Sequence, residues 1–125
     1  MGGKDQDFQS CSDELRVDAS MTDYGVLTIR LAGVLDIATS HQLTDALGEW
    51  LGINECIVDL SECEFVDSNG IRALLTCKYE VEGGGCMRLV GAPGNVERAL
   101  RLAGLESVLE IAGLDETADQ ESAGP

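Results

Sequence analysis

The sequence predicts an α/β fold: one small mixed β-sheet that opens with an antiparallel hairpin and continues through parallel βαβ units. Two observations lead there. Apolar residues alternate with period two in the first third of the chain, then recur at three and four residues in segments separated by short aliphatic runs. Strands alternating with helical patterns call for a largely parallel sheet with right-handed crossovers. The 125 residues suffice for one domain with one core, but the elements are too few to clothe both faces of the sheet.

Residues 1–13 are polar and patternless and are expected to be a flexible arm. "ELRVDAS" sets Leu15, Val17 and Ala19 against polar neighbours, "MTDYG" is turn material, and "VLTIRLAG" alternates Leu27, Ile29 and Leu31 before Gly33. These two runs predict the hairpin. In "TSHQLTDALGEWLG" the period changes: Leu43, Ala46, Leu47, Trp50 and Leu51 mark an amphipathic helix, with Thr39 or Ser40 at its start and Gly52 at its end. "CIVDL" (56–60) reads as a short buried strand. "SNGIRALLTCKYEVE" is a helix with Ile71, Leu74, Leu75 and Tyr79 on one face, stopped by Gly83–Gly85. "CMRLVGA" is the next strand, and "PGNVERALRLAGL" a helix carrying Val96, Ala99, Leu100 and Ala103, with Gly104 just past its end. "ESVLEIAG" adds a short strand or a turn of helix. The domain is thus bounded at residues 14–113, and residues 114–125 form an acidic tail expected to be disordered.

Charge and cysteine usage exclude several functions. The net charge of −15 argues against nucleic acid and against anionic membranes, both of which need basic surface. The excess lies in the domain as well as the tail, since residues 19–114 carry 14 acids and 6 bases. No apolar run approaches the ~20 residues of a membrane span, the first residues show no signal-peptide pattern, and "MGGKDQ" has Gln6 where a myristoylation signal wants Ser or Thr. A cytoplasmic protein is expected. The five cysteines (11, 56, 63, 77, 86) contain no Cys-x-x-Cys pair, and no His/Cys cluster has metal-ligand spacing, so reduced thiols and no metal or other cofactor are expected.

The stretch "CEFVDSNGIRALL" asks for more than packing. Asp67, Ser68, Asn69 and Gly70 fall between a strand and a helix, at the carboxyl end of a strand where α/β proteins place their sites. Asp and Ser are good helix caps, so capping alone would account for both; equally, Asp67 can cap while Ser68 faces outward. A nucleophile elbow would need Gly-x-Ser-x-Gly where the chain reads Val-Asp-Ser-Asn-Gly, and the only histidine, His41, belongs to a predicted solvent-facing helical turn. "EGGGCMR" does not supply a phosphate-cradling loop. Enzymatic activity is not expected.

Taken together, "GVLDIATSHQL", "CIVDLSECEFVDSNGIRALL" and "GGGCMRLVGAPGNVERALRLAGLESVLEI" resemble a STAS domain of the anti-sigma factor antagonist type, over about Leu15–Ala112. The resemblance implies a single STAS-like domain with helices mainly on one face. It also implies a partner switch: the unmodified protein binds an anti-sigma factor that is a serine kinase, phosphorylation turns it off, and a metal-dependent serine phosphatase restores it, so that sigma-factor-dependent transcription is regulated. Ser68 corresponds to the phosphoacceptor and Asp67 to its supporting neighbour. Asp36 and Thr39, with Asn69 and Gly70, correspond to the partner-binding surface. Val34 departs from the usual Glu, and Asn69 from the usual Ser or Thr. The alternative implied by the same fold is an unphosphorylated STAS scaffold subunit of a signalling or lipid-transport assembly, with Ser68 only a cap.

Overall fold

The computed structural model describes residues 7–11, 15–81 and 86–114. Their elements run β1 Asp7–Cys11, β2 Leu15–Met21, β3 Val26–Leu35, α1 Ser40–Gly48, β4 Glu55–Val66, α2 Ser68–Glu80, β5 Cys86–Ala92, α3 Gly94–Leu102, a 3-10 turn Leu105–Ser107 and β6 Glu110–Gly113. The strands form one sheet in sequence order. β1–β2 and β2–β3 are antiparallel, and β3–β4, β4–β5 and β5–β6 are parallel. The expected hairpin followed by parallel units is present.

Strand period decides which face is covered. Leu15, Val17 and Ala19 of β2, Leu27, Ile29 and Leu31 of β3, Cys56, Val58 and Leu60 of β4, and Met87 and Leu89 of β5 are buried. Register aligns them in rows such as Ala19, Ile29, Val58 and Leu89. Against this face pack Leu43, Ala46 and Leu47 of α1, Leu74 and Cys77 of α2, and Val96 and Leu100 of α3. The opposite face is left open and carries charge. Arg30 pairs with Asp59 at 3.7 Å and Arg88 with Glu55 at 3.1 Å, while Arg16 meets Asp18 at 3.4 Å. Such exposed pairs contribute at most about 1 kcal/mol each, so they keep this face soluble more than they hold it together.

The structure departs from the sequence reading at five places. Residues 7–11, read as part of a flexible arm, pair with β2 as an edge strand. An edge ladder is satisfied by backbone groups on one side only and leaves little mark on the sequence. β4 runs to Val66, beyond the expected Leu60, because it follows β3 to Leu35 through two register shifts. α1 stops at Gly48, so Trp50 and Leu51 lie outside it and Leu51 is exposed. The chain must turn back there: the Asn54 amide and side chain donate to Gly25 O and Tyr24 O, each at 2.8 Å, and start β4 beside β3. Tyr79 faces solvent below the Lys78 ammonium, 5.5 Å from its ring, while Ala73 and Cys77 take the buried face. Ala103 is the exposed C-cap of α3, not part of its apolar stripe. Gly104 adopts φ +84°, the left-handed conformation expected past a helix end. The glycine stop at 83–85 and the tail from 115 lie outside the described residues.

Candidate functional site at the ends of β3 and β4

Register builds this site. Leu35 pairs with Val66 at the ends of two parallel strands, so the residues that follow, Asp36 and Asp67, leave the sheet side by side. Each turns the chain in the same way. Asp36 Oδ1 accepts from the amides of Ala38 (3.0 Å) and Thr39 (3.2 Å). Asp67 Oδ1 accepts from those of Asn69 and Gly70, both at 2.9 Å. Asp67 is thus a helix N-cap in extended conformation, and its own amide donates to Leu35 O at 3.1 Å, tying the two turns together.

Ser68 follows as the first residue of α2. It is exposed, and its hydroxyl has no hydrogen-bond partner among the described residues. Capping is therefore Asp67's work, and the serine hydroxyl is left facing solvent. Asn69 is half-buried beside it.

Two of the residues expected on a partner surface point inward. Thr39 is 2% exposed; its hydroxyl donates to Val34 O at 2.7 Å and accepts from the Asp36 amide at 2.9 Å. It shapes the loop and cannot itself touch a partner. Gly70 is buried too, because the first turn of α2 rests on β3: a Cβ there would stand 2.5 Å from Leu35 O and 2.7 Å from Val66 Cγ2. Its role is close approach. Asp36 and Asp67 are half-buried, each with Oδ1 committed to its turn.

Other residues at this end of the sheet escaped the sequence reading. Ile37 is 72% exposed and Phe65 50% exposed, large apolar groups flanking the two acidic turns. The signal was present: Ile37 lies in a loop outside any helical or strand period. Asn95 Nδ2 donates to Glu64 O at 2.9 Å and pins the start of α3 to the same rim. Glu62 and Glu64 are exposed along it. The rim is thus acidic with apolar points. A cleft of about 390 Å³, lined in part by Tyr24, Leu51 and Asn54, lies at the opposite end of the strands. Among the described residues no cluster of metal-ligating side chains occurs, and no helix is long and apolar enough to cross a membrane.

Comparison with known proteins places this geometry. The family model described as "Mlab, STAS domain" matches residues 19–112. An anti-sigma F factor antagonist of Paenibacillus polymyxa is 30% identical over 92 residues, covering 70% of this chain and 78% of that protein. An anti-sigma factor antagonist from Mycobacterium paratuberculosis superposes with a TM-score of 0.72 at 23% identity, over 82% of this chain and 89% of that one. A sulfate transporter family protein from Wolinella succinogenes shares the fold with a TM-score of 0.65 at 18% identity, over 78% of this chain and 84% of that one. The chain belongs to the STAS domain family, in the group of the anti-sigma factor antagonists.

Proposed function

We propose that this protein is an anti-sigma factor antagonist switched by phosphorylation of Ser68. Unmodified, it binds an anti-sigma factor with serine-kinase activity and so frees a sigma factor for transcription. The kinase moves the γ-phosphoryl group of ATP to Ser68 Oγ, releasing ADP and a proton, and the antagonist lets go. A serine phosphatase hydrolyses the phosphate and resets it. The observation that carries this reading is the division of labour at the turn: Asp67 makes the cap, and the exposed Ser68 hydroxyl has nothing structural to do.

The rim explains how one phosphate would act. It adds about −1.5 to −2 charges at neutral pH beside Asp67, at the end of a strand that already carries Glu62 and Glu64. A partner seated there would have to bury that charge, and an uncompensated buried charge costs roughly 3–5 kcal/mol, or about two to three and a half orders of magnitude in affinity. Asp36, Asp67 and Asn69 with the neighbouring Ile37 and Phe65 would form the contact surface, while Thr39 and Gly70 hold its shape.

The test is an intact-mass spectrum of the protein incubated with ATP, magnesium and its candidate kinase, beside Ser68→Ala. One phosphate gained by the wild type alone supports the reading. No gain with a kinase active on itself or on another substrate rejects the switch. A second reading, a constitutive STAS scaffold in a lipid-transport or signalling assembly, draws on the family model's description and on the transporter-borne structural relative. It would then be the one to pursue, by co-purification of the assembly.

A further inference from the structure

We propose that Arg72 is the intramolecular counter-ion of phosphorylated Ser68, so that the modification both adds a negative charge and withdraws a cation from the partner face. The inference rests on the reading of Ser68 as phosphoacceptor and names how that site is regulated.

The start of α2 has few donors left for a phosphate. The amides of Asn69 and Gly70 are already bonded to Asp67 Oδ1, and the Ile71 amide donates to Asp67 O at 2.9 Å. A phosphate on Ser68 therefore finds these donors taken. The neighbouring carboxylates, Asp36 on the β3–α1 loop and Asp67 itself, repel it. The Ser68 amide, the first of the helix, has no acceptor among the described residues but offers only one N–H with a partial charge, so full counter-charge has to come from a side chain.

Among the described cations, Arg16, Arg30, Arg88 and Arg101 stand in ion pairs and Lys78 lies over Tyr79. Arg98, on α3, and Arg72 are exposed with no ion-pair partner among the described residues, and of the two only Arg72 shares the helix of Ser68. It sits on α2 four residues after Ser68, one helical turn away on the same face. Long helical side chains lean toward the N-terminus, so Arg72 reaches back over position 68. An acid one turn before a base is also the favourable order for such a pair. A guanidinium can place two N–H groups on phosphate oxygens at once. With an unmodified serine Arg72 has nothing to bind and remains open to a partner's acidic group. With phosphoserine it closes onto the phosphate and fixes its orientation along the helix.

The test needs no kinase. Phosphoserine is installed at position 68 by nonsense suppression, and its second ionisation is followed by phosphorus NMR in the Arg72, Arg72→Gln and Arg98→Gln proteins. His41, exposed in the first turn of α1, is followed separately through its ring protons. Loss of the counter-ion in Arg72→Gln should raise the phosphate midpoint by about 0.5 pH unit, and the difference should shrink in ~1 M salt. Arg98→Gln should leave the midpoint in place. Equal midpoints with and without Arg72, or an equal shift from Arg98→Gln, would overturn the pairing. A normal titration shift combined with no phosphate gain from the kinase would sink the kinase reading while leaving the pair intact.

Discussion

Gly70→Ala should weaken both the domain and its partner surface, and the structure gives the size of the effect. In an open helix position the change stabilises, since Ala is better than Gly by about 1 kcal/mol. At position 70 the new methyl would stand 2.5 Å from Leu35 O, 2.7 Å from Val66 Cγ2 and 2.9 Å from Leu35 Cγ. The first of these is backbone at the end of β3 and cannot swing away. Overpacking costs roughly 1–3 kcal/mol, and a 2.5 Å approach to fixed backbone belongs in the upper part of that range, about 2–3 kcal/mol. The penalty outweighs the propensity gain and leaves a net loss of about 1–2 kcal/mol. With a urea m-value of about 2 kcal/mol/M, the unfolding midpoint should fall by ~0.5–1 M. Gly48→Ala is the control: that glycine is also helical, has no positive φ, and a Cβ there meets nothing within 4 Å. Its midpoint should rise, by up to ~0.5 M. Relief of the clash in Gly70→Ala lifts the first turn of α2 off β3, carrying Asp67 and Ser68 with it. Anti-sigma factor affinity should therefore drop even where the variant is fully folded. A Gly70→Ala midpoint at or above wild type would refute the close-approach argument.

Three further outcomes are expected. Asp67→Ala removes the acceptor of two amides and should cost about 1–2 kcal/mol, whereas Ser68→Ala should stay within about 0.5 kcal/mol of wild type in the same urea titration while losing the ability to take phosphate. Thr39→Val leaves Val34 O and the Asp36 amide without the hydroxyl and should cost about 1–3 kcal/mol, read from a thermal melt. Burial pushes the Cys56 thiol from an ordinary 9.0 to about 12 and raises Cys63 and Cys77 as well. The unfolded chain thus ionises these thiols first, so their contribution is intact below about pH 9 and is lost as pH rises above it, for Cys56 up to about 12. In that window Cys56 accounts for up to ~1.4 kcal/mol per pH unit. Urea midpoints should fall more steeply between pH 9 and 10.5 in wild type than in Cys56→Ala.

The division of roles at the site could be read only partly from the chain. "FVDSNG" announced a strand end, a cap and a hydroxyl, because Asp and Ser have few other reasons to open a helix. The sequence could not assign the cap between them. Asp67 takes both amides, and that assignment frees Ser68. Thr39 stood in the right loop, yet its hydroxyl turns inward to Val34 O; which way a loop side chain faces depends on the backbone carbonyls around it. Ile37 and Phe65 carried a faint signal, apolar residues outside any period, but exposure is a property of the packed molecule.

What the sequence by itself determined is the element order from Leu15 onward, the switch from antiparallel to parallel pairing, and the face those strands bury. These follow from local periodicity: a period of two or of three to four survives in the chain whatever its neighbours do. The tertiary structure decided the rest. It paired residues 7–11 as an edge strand and carried β4 on to Val66. It also set Leu35 beside Val66 so that Asp36 and Asp67 emerge as neighbours. The last two outcomes depend on register between strands some thirty residues apart, and register is fixed by the fit of whole strands against one another, which no local pattern encodes.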